Sequence, residues 1–361
     1  MNLIRRPYFY IISPIVITLI IYGYILLTVL KLGYSFSSFI YAGDQFVEKN
    51  VPIDILINKP GYDGQFYYAL ATEPFTNTNP VNGVTLDKPH YRQQRIIYPL
   101  LVHFLSFGKT ENIPITMIVV NLVSICVLAG FGSIYAIQIG KSYWFGLAFS
   151  LFPGFLYTFT RDLTEILAIT FLLAAIVALQ RKQGVAVIFL SLAILTKETT
   201  LLFAISILIS AIIQNKKNWK FFLFPPGVYL IWQIILLMWW GRDQGIWLNN
   251  LSLPFMSFIR FAGNIFNKND IVEQIFISLI IFQAITVLIF IFRFKKPLFI
   301  TIAWMLYTLL IFSLSNDVWV ERVAYLRAMS EWYVLSIIIL LHSSKHLQIF
   351  SHYTKVRNTA V

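Results

Sequence analysis

Ten stretches of this chain are too apolar to be folded in water. They run at about 9–31, 113–139, 144–160, 163–180, 184–196, 199–213, 219–240, 271–292, 297–314 and 328–342. Several approach the ~20 residues with which an α-helix crosses a bilayer. With 58% of its 361 residues hydrophobic and 12% charged, the chain has too little polar surface to hide them, so lipid is the expected solvent. The expectation is an all-α, polytopic membrane protein with about ten spans (eight to eleven), forming a single integral-membrane domain over 1–361. The runs at 184–196 and 199–213 are short, and fit either partial spans or one hairpin buried among other helices. The segment Ile96–Phe107 is too short to span and is expected at the interface or as a re-entrant piece. The start, MNLIRRPYFYIISPIVITLIIYGYILL, has no small-residue cleavage site after its apolar run, which predicts an anchor rather than a removed signal.

Charge assigns the sides. If Arg5 and Arg6 are cytoplasmic and ten spans alternate, the cytoplasmic segments also carry Lys141, Arg181, Lys182, Lys216, Lys217, Lys220, Arg293, Lys295, Lys296, Lys345, Lys355 and Arg357. That set holds fourteen basic residues, while all 16 Asp and Glu fall on the other face. The positive-inside rule concerns only the basic residues, so the segregation of acids is a second regularity. It predicts a multi-pass protein of the plasma membrane with both termini cytoplasmic. The net charge of +12 is then a topology signal, as is the basic tail HSSKHLQIFSHYTKVRN, and no nucleic-acid partner is expected.

The outer face holds the complexity. Loop 33–95 is long and loop 241–270 is next, whereas inner loops are a few residues each. Long loops on one side carry function more often than short connectors do. In the first loop the stretch GYDGQFYY places Asp63 between Gly61 and Gly64, beside Tyr62, Gln65, Phe66, Tyr67 and Tyr68. Glycines permit a sharp turn and a close approach, and the rings suit either the membrane interface or a sugar face. Asp63 equally fits the cap of a helix starting at Gly64 or Gln65. Arg92 and Arg95, three apart in HYRQQRIIYP, suit a lipid phosphate, or pair with Asp87 and Asp63.

Three further clusters stand out. Arg161, Asp162 and Glu165 read most simply as a helix start, with Thr160 or Asp162 as N-cap and an i,i+4 pair between Arg161 and Glu165. Thr196-Lys197-Glu198-Thr199 interrupts two apolar runs, where ionisable groups are costly and default to a functional or paired role. Glu198 is expected to pair with Lys197. Arg322 and Arg327 precede the last span, either as phosphate ligands or paired with Asp317, Glu321 or Glu331.

Other chemistries fail by absence. There is no P-loop, GxSxG or HExxH motif, and the single Cys126 excludes an intramolecular disulfide. The five His form no outer cluster with ligand spacing. No spans carry chains of acids of the kind proton-coupled carriers use.

Tyr62-Asp63 in the first outer loop, the amphipathic segment ending in Tyr98-Pro99-Leu100, the Pro153-to-Glu165 stretch and Leu195-Thr-Lys-Glu-Thr199 together resemble the GT-C superfamily of integral-membrane glycosyltransferases. Nearest in pattern are the GPI mannosyltransferases of the PIG-V type and their prokaryotic relatives. The likeness covers about residues 1–210, and the remainder only as hydropathy. It departs in lacking an Asp-x-Asp or Glu-x-Asp pair in the first loop, so no cofactor is expected, with a divalent metal left open. The resemblance implies a polyprenyl-phosphate-sugar donor used on the non-cytoplasmic face, and a lipid, glycan or protein acceptor.

The residues suit that expectation. Asp63, with Asp44 second, is expected to take the acceptor's hydroxyl proton. Arg92, Arg95, Lys197 and Arg322 or Arg327 are expected to stabilise the departing phosphate. Tyr62, Gln65, Tyr67, Tyr68, Arg161, Asp162, Glu165 and Glu198 complete the expected substrate site, and single displacement with inversion follows from one base and no nucleophile. The rival readings are a non-catalytic lipid-carrier flippase or polysaccharide-export protein, and an oligosaccharide polymerase or ligase.

Overall fold

The computed structural model describes residues 7–179, 182–216, 219–241, 250–268, 270–294 and 296–343. Arg5, Arg6, Arg181, Lys217, Lys295, the basic tail from 344 onward and residues 242–249 and 269 of the second outer loop lie outside the described residues. Among the described residues the regular structure is helical apart from one short parallel strand pair and a few isolated bridges. It opens with α1 (Pro7–Lys31), then folds the first loop around α2 (Gly64–Thr72), α3 (Pro89–Gln93) and α4 (Ile97–Leu105). Next come α5 (Ile113–Gln138), α6 (Gly146–Ser150), α7 (Pro153–Phe159), α8 (Glu165–Leu179), α9 (Gln183–Thr196), α10 (Leu201–Ile213) and α11 (Phe224–Trp240). The last third holds α12 (Met256–Lys268), α13 (Ile271–Arg293), α14 (Leu298–Phe312), α15 (Asn316–Val320), α16 (Arg322–Ala328) and α17 (Ser330–Ser343).

Among the described residues four helices are long and apolar enough to cross a membrane: those ending at Lys31, Gln138, Trp240 and Arg293. A fifth arises if α16 and α17, bent by 48° at their junction, count as one span. The chain is therefore a candidate multi-pass membrane protein, with four or five spans by helix length where ten apolar runs were expected. The difference lies in the short helices α8, α9, α10 and α14, which are apolar but only 13–15 residues long, and in the run 144–160, which is broken into α6 and α7. Of the long helices, α5 is central. In it 67% of the apolar window is buried, against 17% in the other three, which turn most of their surface outward.

Two sequence expectations are corrected by local chemistry. The run 144–160 is not one helix, because it breaks at Leu151-Phe152 into α6 and α7. Pro153 occupies the first turn of α7, and a residue preceding proline is pushed out of the helical region; Phe152 is extended at φ −70, ψ 131. Nor do 184–196 and 199–213 form a hairpin with each other. Helix α9 packs along α8 and α11, whereas α10 packs along α14.

The first loop is a folded layer. Strand β1 (Ala42–Gly43) pairs in parallel with β2 (Ile55–Leu56). Ile40, Phe66, Tyr67, Val81 and Val84 join Tyr98 of α4, Met117 of α5 and Leu167 of α8 in a core of their own. The amphipathic segment expected at 96–107 is α4. It buries Tyr98, Pro99 and Val102 and exposes Phe104 and Leu105.

The glycines around Asp63 place this layer. Gly61 takes φ +70, which costs a glycine nothing. A Cβ on Gly64 would strike the backbone carbonyls of Arg161 and Ile40. The close approach that this glycine permits is therefore of the chain to itself, seating α2 on the α7–α8 turn.

Candidate active site

A cavity of about 630 Å³ opens where the first loop meets the α9–α10 break and the α16 helix. Its lining combines the charged residues Asp63, Arg92, Arg95, Lys197, Glu198 and Arg327 with the aliphatic residues Leu251, Leu310, Ile311, Leu314 and Val318. Tyr62, Lys88, Tyr91, Glu165, Tyr229 and Glu321 complete the ionisable lining.

Asp63 sits at the start of α2, yet its side chain makes no capping hydrogen bond. It reaches across to two guanidiniums instead: Arg92 Nη1 at 2.7 Å and Arg327 Nη2 at 2.6 Å. Arg92 is fixed in turn by a two-point pair to Asp87, at 2.7 and 2.8 Å, and lies over the Phe66 ring. Burial alone would raise the Asp63 pKa. The positive charges of Arg92, Arg327 and Arg95 outweigh it and hold the carboxyl well below the usual carboxylate range. This makes Asp63 a weaker base than an ordinary aspartate.

Arg95 spends every arm of its guanidinium. Nε and Nη2 donate to Glu198 at 2.8 and 2.7 Å, Nη1 donates to the Tyr67 hydroxyl at 2.8 Å, and Nη2 also donates to the Tyr91 hydroxyl at 2.7 Å. Glu198 thus pairs with Arg95 rather than with its neighbour Lys197. Lys197 is held extended, at φ −154 and ψ 115, where α9 stops. Its ammonium meets Glu331 of α17 at 3.1 Å and Glu165 of α8 at 3.9 Å. The costly ions in the apolar run are all paired, as burial requires.

Arg327 closes the circuit, with Nε 3.4 Å from Glu165 and its guanidinium 5.1 Å from the Tyr62 ring centre. The break between α16 and α17 sets its position, since Ser330 Oγ donates to the Arg327 carbonyl at 2.6 Å. None of Asp317, Glu321 and Glu331 is its partner. Arg322 points elsewhere, to Glu273 of α13 at 2.6 Å, and is no part of the cavity lining.

The other expected residues divide. Tyr67 buttresses Arg95. Arg161 does not pair with Glu165, because α8 begins only at Glu165. Its guanidinium lies 5.0, 5.6 and 5.5 Å from the rings of Tyr41, Tyr62 and Tyr157. Neither Thr160 nor Asp162 caps α8. Asp162 is fully buried at φ +48, and neither carboxylate oxygen has a hydrogen-bond partner among the described residues. Burial pushes its pKa well above the carboxylate range, offset only in part by Asn121.

Asp44, Gln65 and Tyr68 stand apart from the cavity lining. The Asp44 carboxylate accepts the backbone amides of Asn58 and Lys59 at 2.9 and 3.2 Å. Gln65 ties Gly43 N–H, at 3.0 Å, to the Pro60 carbonyl, at 2.9 Å. The Tyr68 hydroxyl is buried without a hydrogen-bond partner. All three serve the loop's own fold.

Three acids that the sequence reading named only as ion-pair partners of nearby arginines matter here. Asp87 orients Arg92, Glu331 holds Lys197, and Glu321 lines the cavity. The signal for Glu331 lies in the sequence, as an acid at the start of an apolar run. Among the described residues no group of three or more His, Cys, Asp and Glu is placed to hold a metal ion. No protein-family model, curated protein or solved structure matches the chain.

Proposed function

We propose that this chain is a membrane glycosyltransferase that moves a sugar from a polyprenyl-phosphate donor to an acceptor hydroxyl on the non-cytoplasmic face, with inversion. The observation that carries this reading is the mixed lining of one cavity, which brings guanidiniums and an ammonium together with aliphatic side chains. A lipid phosphate combines the same two characters. The phosphate charge that develops as the sugar leaves would meet Arg92, Arg95, Lys197 and Arg327, where preorganised cations act most strongly. The prenyl chain would lie against Leu310, Ile311 and Leu314. In this reading Asp63 keeps Arg92 and Arg327 aimed into the cavity. The short helices α8, α9, α10 and α14 would complete about ten spans as partial crossings of the plasma membrane, with both termini cytoplasmic.

The test compares lipid-linked and surface glycans by mass spectrometry in cells carrying the wild-type gene, a deletion, or Asp63→Asn at normal membrane level. Loss of the same glycan by one sugar mass in both altered strains is the expected result. A deletion that leaves every glycan intact overturns the proposal. A deletion that changes glycans while D63N does not points instead to movement of lipid carriers.

A further inference from the structure

A sugar-transfer site needs a group to receive the acceptor's proton, and three of the four carboxylates lining the cavity are committed elsewhere. Asp63 has a guanidinium on each oxygen. Glu198 is held at two points by Arg95. Glu165 meets Arg327 and Lys197 through Oε1, and its Oε2, though without a hydrogen-bond partner, is sealed in a side chain that is 1% exposed. An acceptor hydroxyl arriving from solvent has no access to it.

Glu321 differs on each count. It lines the same cavity, it is exposed, and its carboxylate has no ion pair or hydrogen bond among the described residues. It stands immediately before α16 in extended conformation, at φ −97 and ψ 109, and its side chain does not cap that helix. Six residues further on, in α16, Arg327 is one of the cations of the cavity lining.

We infer that Glu321 is the catalytic residue that accepts the proton of the acceptor hydroxyl. This rests on the transferase reading above. The hydroxyl oxygen forms a bond to the donor's anomeric carbon. The bond from that carbon to the phosphate oxygen breaks, and its electron pair leaves on the phosphate facing the cations. The hydroxyl proton passes to a Glu321 carboxylate oxygen. The charges acting on Glu321 are Arg327 of α16, Arg161 from the α7–α8 turn and Asp63 from the first loop, where the neutral Tyr62 hydroxyl also faces it. Partial desolvation against the cavity lining and the Asp63 charge raise its pKa, and the two arginines offset this only in part. The net rise strengthens it as a base.

The experiment uses membranes from the deletion strain carrying wild type, E321Q, E321D or E321A at equal level, with their endogenous lipid-linked donor and acceptor. Sugar addition is timed by mass spectrometry. E321Q is expected to lower the rate at saturating donor roughly 100- to 10,000-fold with little change in the donor concentration that half-saturates. E321D should recover part of the rate, and formate should restore part of it to E321A. The wild-type rate should fall as pH drops through a carboxylate pKa, and that limb should be missing in E321Q. If wild type transfers sugar and E321Q keeps a rate within threefold, Glu321 is not the base and the transferase reading stands. If wild-type membranes add no sugar that the deletion lacks, the transferase reading falls and the Glu321 assignment falls with it.

Discussion

Asp63 and Arg327 are separated by 264 positions in sequence and meet at 2.6 Å. Their contact joins the first loop to the bent α16–α17 unit within the cavity lining. Removing one partner of a buried, hydrogen-bonded ion pair strands the other charge. In a double-mutant cycle on Asp63→Asn and Arg327→Gln, thermal or denaturant unfolding of the detergent-solubilised protein should give a coupling of about 1–3 kcal/mol. Simple additivity of the two changes would show that the contact carries no energy.

The same contact sets a pH dependence. The Asp63 pKa is lower in the folded chain than in an unfolded one. Its stabilising contribution is therefore full above the unfolded value, about 4, and is lost as pH falls from there toward the folded value. Unfolding midpoints measured from pH 7 to pH 3 should drop more steeply below pH 4 in wild type than in D63N. Parallel curves would contradict the lowered pKa.

Gly64→Ala should be far more damaging than its chemistry suggests. The added methyl group meets two backbone carbonyls, which cannot swing aside as a side chain can. A loss of about 3 kcal/mol, at the upper end of overpacking costs, should show as reduced membrane level and a lowered unfolding midpoint. Gly227→Ala in α11, where the methyl group would meet nothing within 4 Å, should be neutral or stabilising by up to about 1 kcal/mol.

Arg95→Lys keeps the charge and loses the fork. One ammonium cannot serve both oxygens of Glu198 and the hydroxyls of Tyr67 and Tyr91 together. The variant should lose about 1–3 kcal/mol of stability through the partners left unsatisfied, measured by the same unfolding assay. An unchanged midpoint would mean that the four hydrogen bonds do not hold the cavity wall.

If the cavity takes a lipid phosphate, polyprenyl phosphate at 100 times its dissociation constant should stabilise the folded chain by about 2.7 kcal/mol. Inorganic phosphate at the same concentration should produce no comparable shift. Equal shifts from both would remove the apolar wall from the account of binding.

Helix positions were legible in the sequence wherever a run was continuously apolar, and α1, α5, α11 and α13 follow the runs closely. The failure at 144–160 came from one dipeptide, since hydropathy does not register the restriction that Pro153 imposes on Phe152. The site was legible as a set of residue types. Tyr62, Asp63, Arg92, Arg95, Glu165, Lys197, Glu198 and Arg327 do line one cavity. Their pairing was only partly legible. Neighbours in sequence such as Lys197 and Glu198 invite a local pair, but Arg95 offers Glu198 two hydrogen bonds where Lys197 could offer one. A fork against a carboxylate wins over a single ammonium. Asp44 shows the opposite error, an acid in the right loop that is used up in folding that loop.

The bidentate and shared pairs around the cavity leave Arg92, Arg95, Lys197 and Arg327 each with a carboxylate already in hand. Such a site is nearly neutral as seen from solution, however many cations it contains. It gives passing anions little reason to stop. An incoming phosphate has to compete with tethered carboxylates of the protein itself, and it prevails when something other than its charge keeps it there. If the cavity takes a lipid phosphate, its aliphatic lining residues would supply that hold, and selection would operate on the tail of the ligand before its head.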